Sequence, residues 1–332
     1  MKFFKFFASF FLIIFLALFF LNVFLESSQE TLELNSETRK KLSGSFIKLP
    51  QGVTHYEITG SDTGKVMVLI HGGGNASFIW DKNVPYLVKN GFKILRYDLY
   101  GRGYSDRPDT QYDLNLFHSQ LSALLDTLHL EKEITMVGSS MGAMIAIDFT
   151  LKHPEKVANL ILIDPAALNS THIMPLLRMP LLSDLYIAGY YYPKMIDKQM
   201  HEFYNPAKVK EYADKCAPQM KYKGFKKAVK STRMFTLNVN MENEIVKVGK
   251  QHTNTLLLWG KYDPLVDCKI SQYYKQAIPD LKYVEIDSAG HIANYEQPDI
   301  INREILNFVQ CKSHIVSLKT SFSAKYISAK TK

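Results

Sequence analysis

Six short apolar runs, each followed by a helical pattern, a turn-rich stretch or a glycine-rich turn, constrain this chain more than any other feature. They are Val66–Ile70, Lys93–Tyr97, Ile134–Val137, Leu160–Ile163, Thr255–Leu258 and Tyr283–Ile286. Several are almost unbroken in apolar residues, as strands covered on both faces should be. Over Phe117–Leu128 the residues Phe117, Leu121, Leu124, Leu125 and Leu128 fall on one helical face. Gly142–Leu151 follows as another helix, and a last one over Ile300–Val309 turns Ile301, Ile305, Phe308 and Val309 inward. Two further strands, around Phe46–Leu49 and Thr54–Ile58, come first, joined through Pro50-Gln51-Gly52. Strand–helix alternation of this kind predicts an α/β fold with a mostly parallel central sheet flanked by helices.

The rhythm breaks between Pro165 and about Val248, where methionine- and tyrosine-rich segments precede a basic region. A structureless loop of about 80 residues inside a compact domain would be improbable. The stretch 166–248 is therefore expected to be a mostly helical insertion, dividing a core of 44–165 and 249–311. It should roof the sheet with Met174, Leu176, Leu177, Met179, Leu181, Leu182, Leu185, Tyr186, Tyr190, Tyr191 and Tyr192.

Ten of the twenty phenylalanines lie in the first 25 residues, and from Phe6 to Leu25 only Ser9 and Asn22 are not apolar. Twenty helical residues span roughly 30 Å, the thickness of a bilayer core. The run ends in FLESSQE, without a small-residue cleavage site, so residues 1–25 are expected to stay as a transmembrane signal anchor; a cleaved signal, leaving a secreted or periplasmic body, is the alternative. Lys2 and Lys5 precede the run, and Glu26, Glu30, Glu33 and Glu37 follow it. That asymmetry places the body on the non-cytoplasmic side. Residues 26–43 read as a polar stalk.

The net charge of +8 is segregated. Residues 206–233 carry nine Lys or Arg against Glu211 and Asp214, and the tail 312–332 carries five Lys and no acid. The remainder is acidic, which argues against a nucleic-acid partner with a general basic face. Either basic run can be a solvated surface, or can attract anionic lipid headgroups, with Lys221, Lys223, Lys226 and Lys227 the candidates. Cys216, Cys268 and Cys311 allow at most one internal disulfide and have no metal-ligand rhythm.

Candidate functional residues sit at the carboxyl ends of the strands, where an open α/β sheet places its ligands. Gly138-Ser139-Ser140-Met141-Gly142 follows one strand and opens a helix. This is G-x-S-x-G in the context that lifts a serine hydroxyl into a cleft; the plainer reading is that Ser140 caps the helix. A base is expected after the last strand, at His291 in Asp287-Ser288-Ala289-Gly290-His291. An orienting acid is expected between serine and histidine, at Asp263, with Asp267 and Asp164 as weaker candidates. Oxyanion donors would be the N–H groups of Met141 and of Gly73 in His71-Gly72-Gly73-Gly74-Asn75. No metal or organic cofactor is required.

Taken together, HGGGNASFIW, DLYGRGYSDRP, GSSMGA, WGKYDPLVD and DSAGHIANYEQP resemble the α/β-hydrolase superfamily in its branch with a cap domain, over roughly Phe46 to Cys311. The resemblance implies Ser140 as nucleophile, Asp263 as acid, His291 as base, and Gly73 with Met141 as oxyanion hole. Asp98, Arg102 and Ser105 would buttress the site. The nearest members are membrane-anchored monoacylglycerol lipases, implying a serine esterase acting on a small lipid or ester, such as a monoacylglycerol or lysophospholipid. A general carboxylesterase, a carbon–carbon bond hydrolase of the meta-cleavage type and a catalytically silent binding protein are the alternatives. Ser140 argues against the dehalogenases and epoxide hydrolases, which use aspartate.

Overall fold

The computed structural model describes residues 2–130, 133–168 and 175–310; Met174, Cys311 and the basic tail lie outside them. Helix α1 (Lys2–Gln29) and the single turn α2 (Ser36–Arg39) come first. The core follows with β1 (Ser45–Leu49), β2 (Gly52–Thr59), β3 (Lys65–Ile70), α3 (Val84–Lys89), β4 (Phe92–Tyr97), α4 (Leu114–Thr127), β5 (Ile134–Ser139), α5 (Met141–Lys152) and β6 (Val157–Ile163). After β6 the chain forms α6 (Pro180–Tyr186), a π-helical turn Ile187–Tyr191, α7 (Met195–Met200), α8 (Glu211–Met220) and α9 (Phe225–Phe235). It returns through α10 (Glu242–Lys250), β7 (Thr255–Gly260), α11 (Ser271–Ala277), β8 (Lys282–Ile286), α12 (Ala293–Glu296) and α13, 298–310.

The eight strands form one sheet in the order β1-β2-β4-β3-β5-β6-β7-β8. Only the β1–β2 and β2–β4 pairs are antiparallel; β4 through β8 run parallel. Alternate residues of β3 show why its run is unbroken. Val68 and Ile70 pack with α4, α5 and α10 on one face, whereas Met67 and Leu69 pack with α3 and α13 on the other. All four are fully buried, and each such side chain contributes about 1.5–3 kcal/mol.

Two boundaries differ from the sequence reading. Helix α10 was expected within the insertion, but it packs on α5 and α11, and its Ile245 and Val248 join the core under the sheet. Its sequence ENEIVKVGK has too few apolar positions to announce this. Residues 26–43 are also no free stalk. Residues 26–29 complete α1, and the buried Glu30 carboxylate accepts the main-chain N–H groups of Gly224 (2.7 Å) and Lys226 (2.6 Å), capping α9. Leu32 pairs with the 221–223 segment through Leu32 N–H to Lys221 O and Lys223 N–H to Leu32 O, both 2.9 Å. Lys226 Nζ reaches back to Leu25 O (3.2 Å) and Gln29 Oε1 (3.1 Å). Glu30 and Glu33 find partners 190 to 196 residues away, which no local pattern could disclose.

Of the four lysines that could attract headgroups, Lys226 is buried, Lys223 pairs with Glu33 and Lys227 with Asp109, while Lys221 is exposed. Cys216 is buried and Cys268 partly exposed, both as free thiols.

Candidate active site

Strand β5 passes into α5 through Ser140, which has φ 54° and ψ −117°. A non-glycine residue in this region is strained by about 1–3 kcal/mol and needs surrounding structure to hold it. Here Ser140 N–H donates to Ile163 O (2.9 Å), and Ser140 O accepts from Ala143 N–H (3.0 Å). The flanking glycines are steric necessities. A Cβ on Gly138 would lie 2.3 Å from Gly142 O, and one on Gly142 would lie 2.3 Å from Ile70 O. The reading of Ser140 as a helix cap fails, because its side chain makes no capping bond.

Instead the Ser140 hydroxyl lies 2.8 Å from His291 Nε2, and His291 Nδ1 lies 2.7 Å from Asp263 Oδ2. The second Asp263 oxygen accepts the N–H groups of Leu265 (2.8 Å) and Val266 (2.9 Å), which fixes the carboxylate in the turn after β7. Asp267 is elsewhere, accepting from Lys269 N–H. Asp164 is buried beside the pair but makes a brace. Its two oxygens accept Gly260 N–H (2.7 Å) and Ala293 N–H (3.1 Å), tying the end of β7 to the histidine turn. Burial, followed by the Asp263 charge, raises the Asp164 carboxyl well above its usual range.

Burial opposes the imidazolium of His291, but Asp263, then Glu202 and Asp164, outweigh it and raise the group to about 9. Glu202 and the other polar cap residues at the site, Gln199 and Arg233, carry no signal in the sequence. His291 N–H donates to Glu202 O at 2.8 Å, and a Cβ on Gly290 would lie only 2.1 Å from that carbonyl. Glu296 clamps the same contact, accepting from Gly290 (2.8 Å), Tyr204 (3.0 Å) and Asn205 (2.6 Å).

Gly73 lies against Met141, the residue after Ser140, since a Cβ on Gly73 would be 3.3 Å from Met141 Sδ and 3.7 Å from its Cβ, and neither main-chain N–H donates to another group among the described residues. Arg102 fixes the glycine loop. Its guanidinium donates through Nε to Gly73 O (2.5 Å), through Nη1 to Gly101 O (3.1 Å) and through Nη2 to Thr232 Oγ1 of α9 (3.2 Å). Among the described residues it has no carboxylate partner, and its burial lowers it to about 10. Asp98 organises the loop below, accepting His55 Nδ1–H (2.7 Å) and the N–H groups of Ser77 (2.8 Å) and Tyr104 (2.9 Å).

The cavity over Ser140 measures about 110 Å³. The cap is expected to roof it with its apolar and aromatic stripe, but among the described residues of that stripe only Tyr191 lines the cavity. Gln199, Glu202 and Arg233 do so as well, with Met195, Val229 and Leu237. The Arg233 guanidinium sits 4.8 Å from the Tyr191 ring centre and donates to its hydroxyl at 3.2 Å. A larger cleft of about 760 Å³, between the β2 edge and α8, contains neither Ser140 nor His291.

With this geometry in view, similarity to known proteins is informative. The model of the alpha/beta hydrolase fold family matches residues 65–207 and 181–298. A 2-hydroxy-6-oxononadienedioate/2-hydroxy-6-oxononatrienedioate hydrolase of Comamonas testosteroni is 25% identical over 293 residues, covering 83% of this chain and 98% of that protein. Among solved structures, a meta-cleavage product hydrolase of Pseudomonas fluorescens superposes with a TM-score of 0.67 at 23% identity, covering 80% of this chain and 97% of that one. A membrane phospholipase A described as a bacterial virulence factor superposes with a TM-score of 0.65 at 22% identity, covering 93% and 98%. The sheet order, the serine turn and the family match over most of the core lead to one conclusion: this chain belongs to the alpha/beta hydrolase fold family.

Proposed function

We propose that the chain is a serine hydrolase that works through a covalent intermediate on Ser140. The observation that carries this is the continuous relay Asp263–His291–Ser140, at 2.7 and 2.8 Å, mounted on a strained turn. A serine hydroxyl is a weak nucleophile without an adjacent base. His291 takes its proton as Ser140 attacks a carbonyl, and Asp263 holds the imidazole tautomer and stabilises the imidazolium. The N–H groups of Gly73 and Met141 receive the oxyanion. His291 then protonates the leaving group, and a water activated by the same imidazole releases the acid. A fluorophosphonate should label Ser140, and labelling that persists in Ser140→Ala would overturn the assignment.

For the substrate, the likeness to meta-cleavage hydrolases supports cleavage of a carbon–carbon bond in a vinylogous diketone over the membrane lipid ester first expected. Arg233 in the cavity wall agrees, since a guanidinium there suits a substrate bearing a carboxylate. One observation favours a lipid ester. Helix Phe3–Gln29 is long and apolar enough to cross a membrane and is exposed over most of its surface, and the likeness to the membrane phospholipase A extends over 93% of the chain. On this reading α1 is an uncleaved anchor that resists alkaline carbonate extraction. A cavity of about 110 Å³ holds neither substrate whole, so the cap must shift to admit either. Kinetics on a dienoate ring-fission product and on a monoacylglycerol and lysophospholipid series separate the two. Higher kcat/KM on the dienoate supports the first; higher kcat/KM on long monoacyl chains supports the second.

A further inference from the structure

Helix α1 is not exposed on all sides. Leu18, Asn22, Leu25 and Gln29 are partly covered, and their spacing of four, three and four residues puts them on one face. The cover is the cap, because α1 packs against α6 and the turn 187–191. Near its end Gln29 Nε2 donates to Ala188 O at 2.9 Å, and a Cβ on Gly189 would lie 3.8 Å from Leu25 Cδ1. From Leu18 to Gln29 the helix rises about 16 Å. If the apolar run Phe6–Leu25 fills the hydrocarbon, the cap element covering Leu18 to Leu25 stands at hydrocarbon depth beside it.

The free face of that element is suited to this position. Met179 and Leu182 are 51% and 36% exposed. Asp184 is neutralised by Lys230 at 2.5 Å, and Arg178 is exposed, with a side chain long enough to reach headgroups. Farther along, Tyr186 stacks on Tyr190 at 5.5 Å, and the ammonium groups of Lys194 and Lys198 lie 4.4 and 5.0 Å from the Tyr190 ring centre. Apolar residues, then tyrosines, then lysines is the order met on passing from acyl chains to headgroups.

We propose that the cap segment 176–190 is a second membrane contact, embedded in the same leaflet as the C-terminal turns of α1, with Met179 and Leu182 among the acyl chains and Tyr190 at the headgroups. This rests on the reading of α1 as a membrane span. The segment continues directly into Tyr191 and Met195, which line the cavity over Ser140. One wall of the catalytic chamber is therefore continuous with the lipid surface.

The chain has only two tryptophans, Trp80 and Trp259, both fully buried, so an added tryptophan reports its own surroundings. Full-length Leu182→Trp, Phe11→Trp and Ile58→Trp proteins are reconstituted in vesicles of phosphatidylcholine with brominated acyl chains, and the emission of the unsubstituted protein is subtracted. Leu182→Trp should lose about half its added emission or more, as an element inserted several ångströms below the headgroups does. Phe11→Trp should be quenched as the marker of α1, and Ile58→Trp, on β2 of the core sheet, should not. Quenched Phe11→Trp with unquenched Leu182→Trp overturns the proposal, whether that face is bare or covered by a second copy. Unquenched Phe11→Trp overturns the anchor reading and the proposal with it.

Discussion

Glu202 of the cap and His291 of the core meet main chain to main chain, with the His291 N–H donating to the Glu202 carbonyl at 2.8 Å. The Glu202 carboxylate meanwhile lines the cavity that holds Ser140, without a hydrogen bond or ion pair among the described residues. The charges facing it are His291, Asp263 and Arg233, and burial, the largest influence, raises its carboxyl to about 7.

Replacement of Glu202 by Gln should therefore move the pH dependence of the reaction. His291 serves as base only when neutral, so kcat/KM rises with pH through its titration. Glu202, when ionised, favours the imidazolium. Removing that charge should shift the acid limb to lower pH, by on the order of one pH unit. Stability responds in the opposite range. A carboxyl raised in the folded state stabilises fully below its unfolded value near 4.5, and that contribution is lost as pH rises through about 7. Glu202→Gln should thus match the parent in thermal unfolding at pH 4 and exceed it at pH 8.5. An unchanged acid limb would exclude electrostatic control by Glu202.

The two buried acids near His291 should behave differently. Asp263→Asn leaves the fold intact but favours the wrong imidazole tautomer, a change that lowers kcat by roughly 10⁴ in a comparable triad. Asp164→Asn cannot accept both N–H groups that Asp164 now holds. Its effect should be a loss of stability of about 1–3 kcal/mol, with kcat retained within about tenfold. Steady-state kinetics and denaturant unfolding on both variants check this; loss of turnover in Asp164→Asn alone would reverse the roles.

These differences show what local sequence carries. The strands were legible because both faces of a parallel sheet are covered, so Val66–Ile70 and Thr255–Leu258 could not contain polar residues at alternate positions. The serine turn was legible because its glycines are demanded by backbone approaches of 2.3 Å. Asp263 and His291 were placed at strand ends, where chain order narrowed the choice, and the structure brings them to Ser140. Glu202 had no comparable signal, being one acid in an irregular stretch between α7 and α8. The same holds for Glu30, whose partners are separated from it by 194 and 196 residues. The cap's aromatic stripe was legible as apolar but not as to what it faced: Met179, Leu182 and Tyr190 are exposed, whereas Tyr191 and Tyr192 pack within the cap.

Arg102 should matter for turnover more than for binding. A fully buried guanidinium is costly without a carboxylate, and this one, with none beside it among the described residues, places one hydrogen bond on the Gly73 carbonyl and another on Thr232. Arg102→Gln should loosen the glycine loop and lower kcat by about 10- to 100-fold, the equivalent of a charged hydrogen bond of roughly 1.5–3 kcal/mol, with KM little changed. Thr232→Val should give a smaller loss in the same direction. A rise in KM with unchanged kcat would mean that Arg102 contacts substrate instead of arranging the oxyanion loop.

Glu30 should fix the junction between the N-terminal helix and the cap. Its carboxylate serves as the cap that Gly224 cannot supply to α9, since glycine has no side-chain acceptor. Loss of such a cap costs about 0.5–2 kcal/mol, and here it would also leave the N–H groups of Gly224 and Lys226 without their acceptor. Glu30→Ala should therefore lower the thermal midpoint and speed amide exchange in 222–228, while leaving the protection of β5 and α5 unchanged. The Leu32 pairing to Lys221 and Lys223 should open together with it, because both contacts hold the same short strip of chain. Hydrogen exchange read by mass spectrometry on the full-length protein resolves these segments. Equal protection of 30–33 and 222–228 in Glu30→Ala and parent would mean that the other contacts of α1 with the cap, among them Gln29 to Ala188 and Lys226 to Leu25, hold the junction without Glu30.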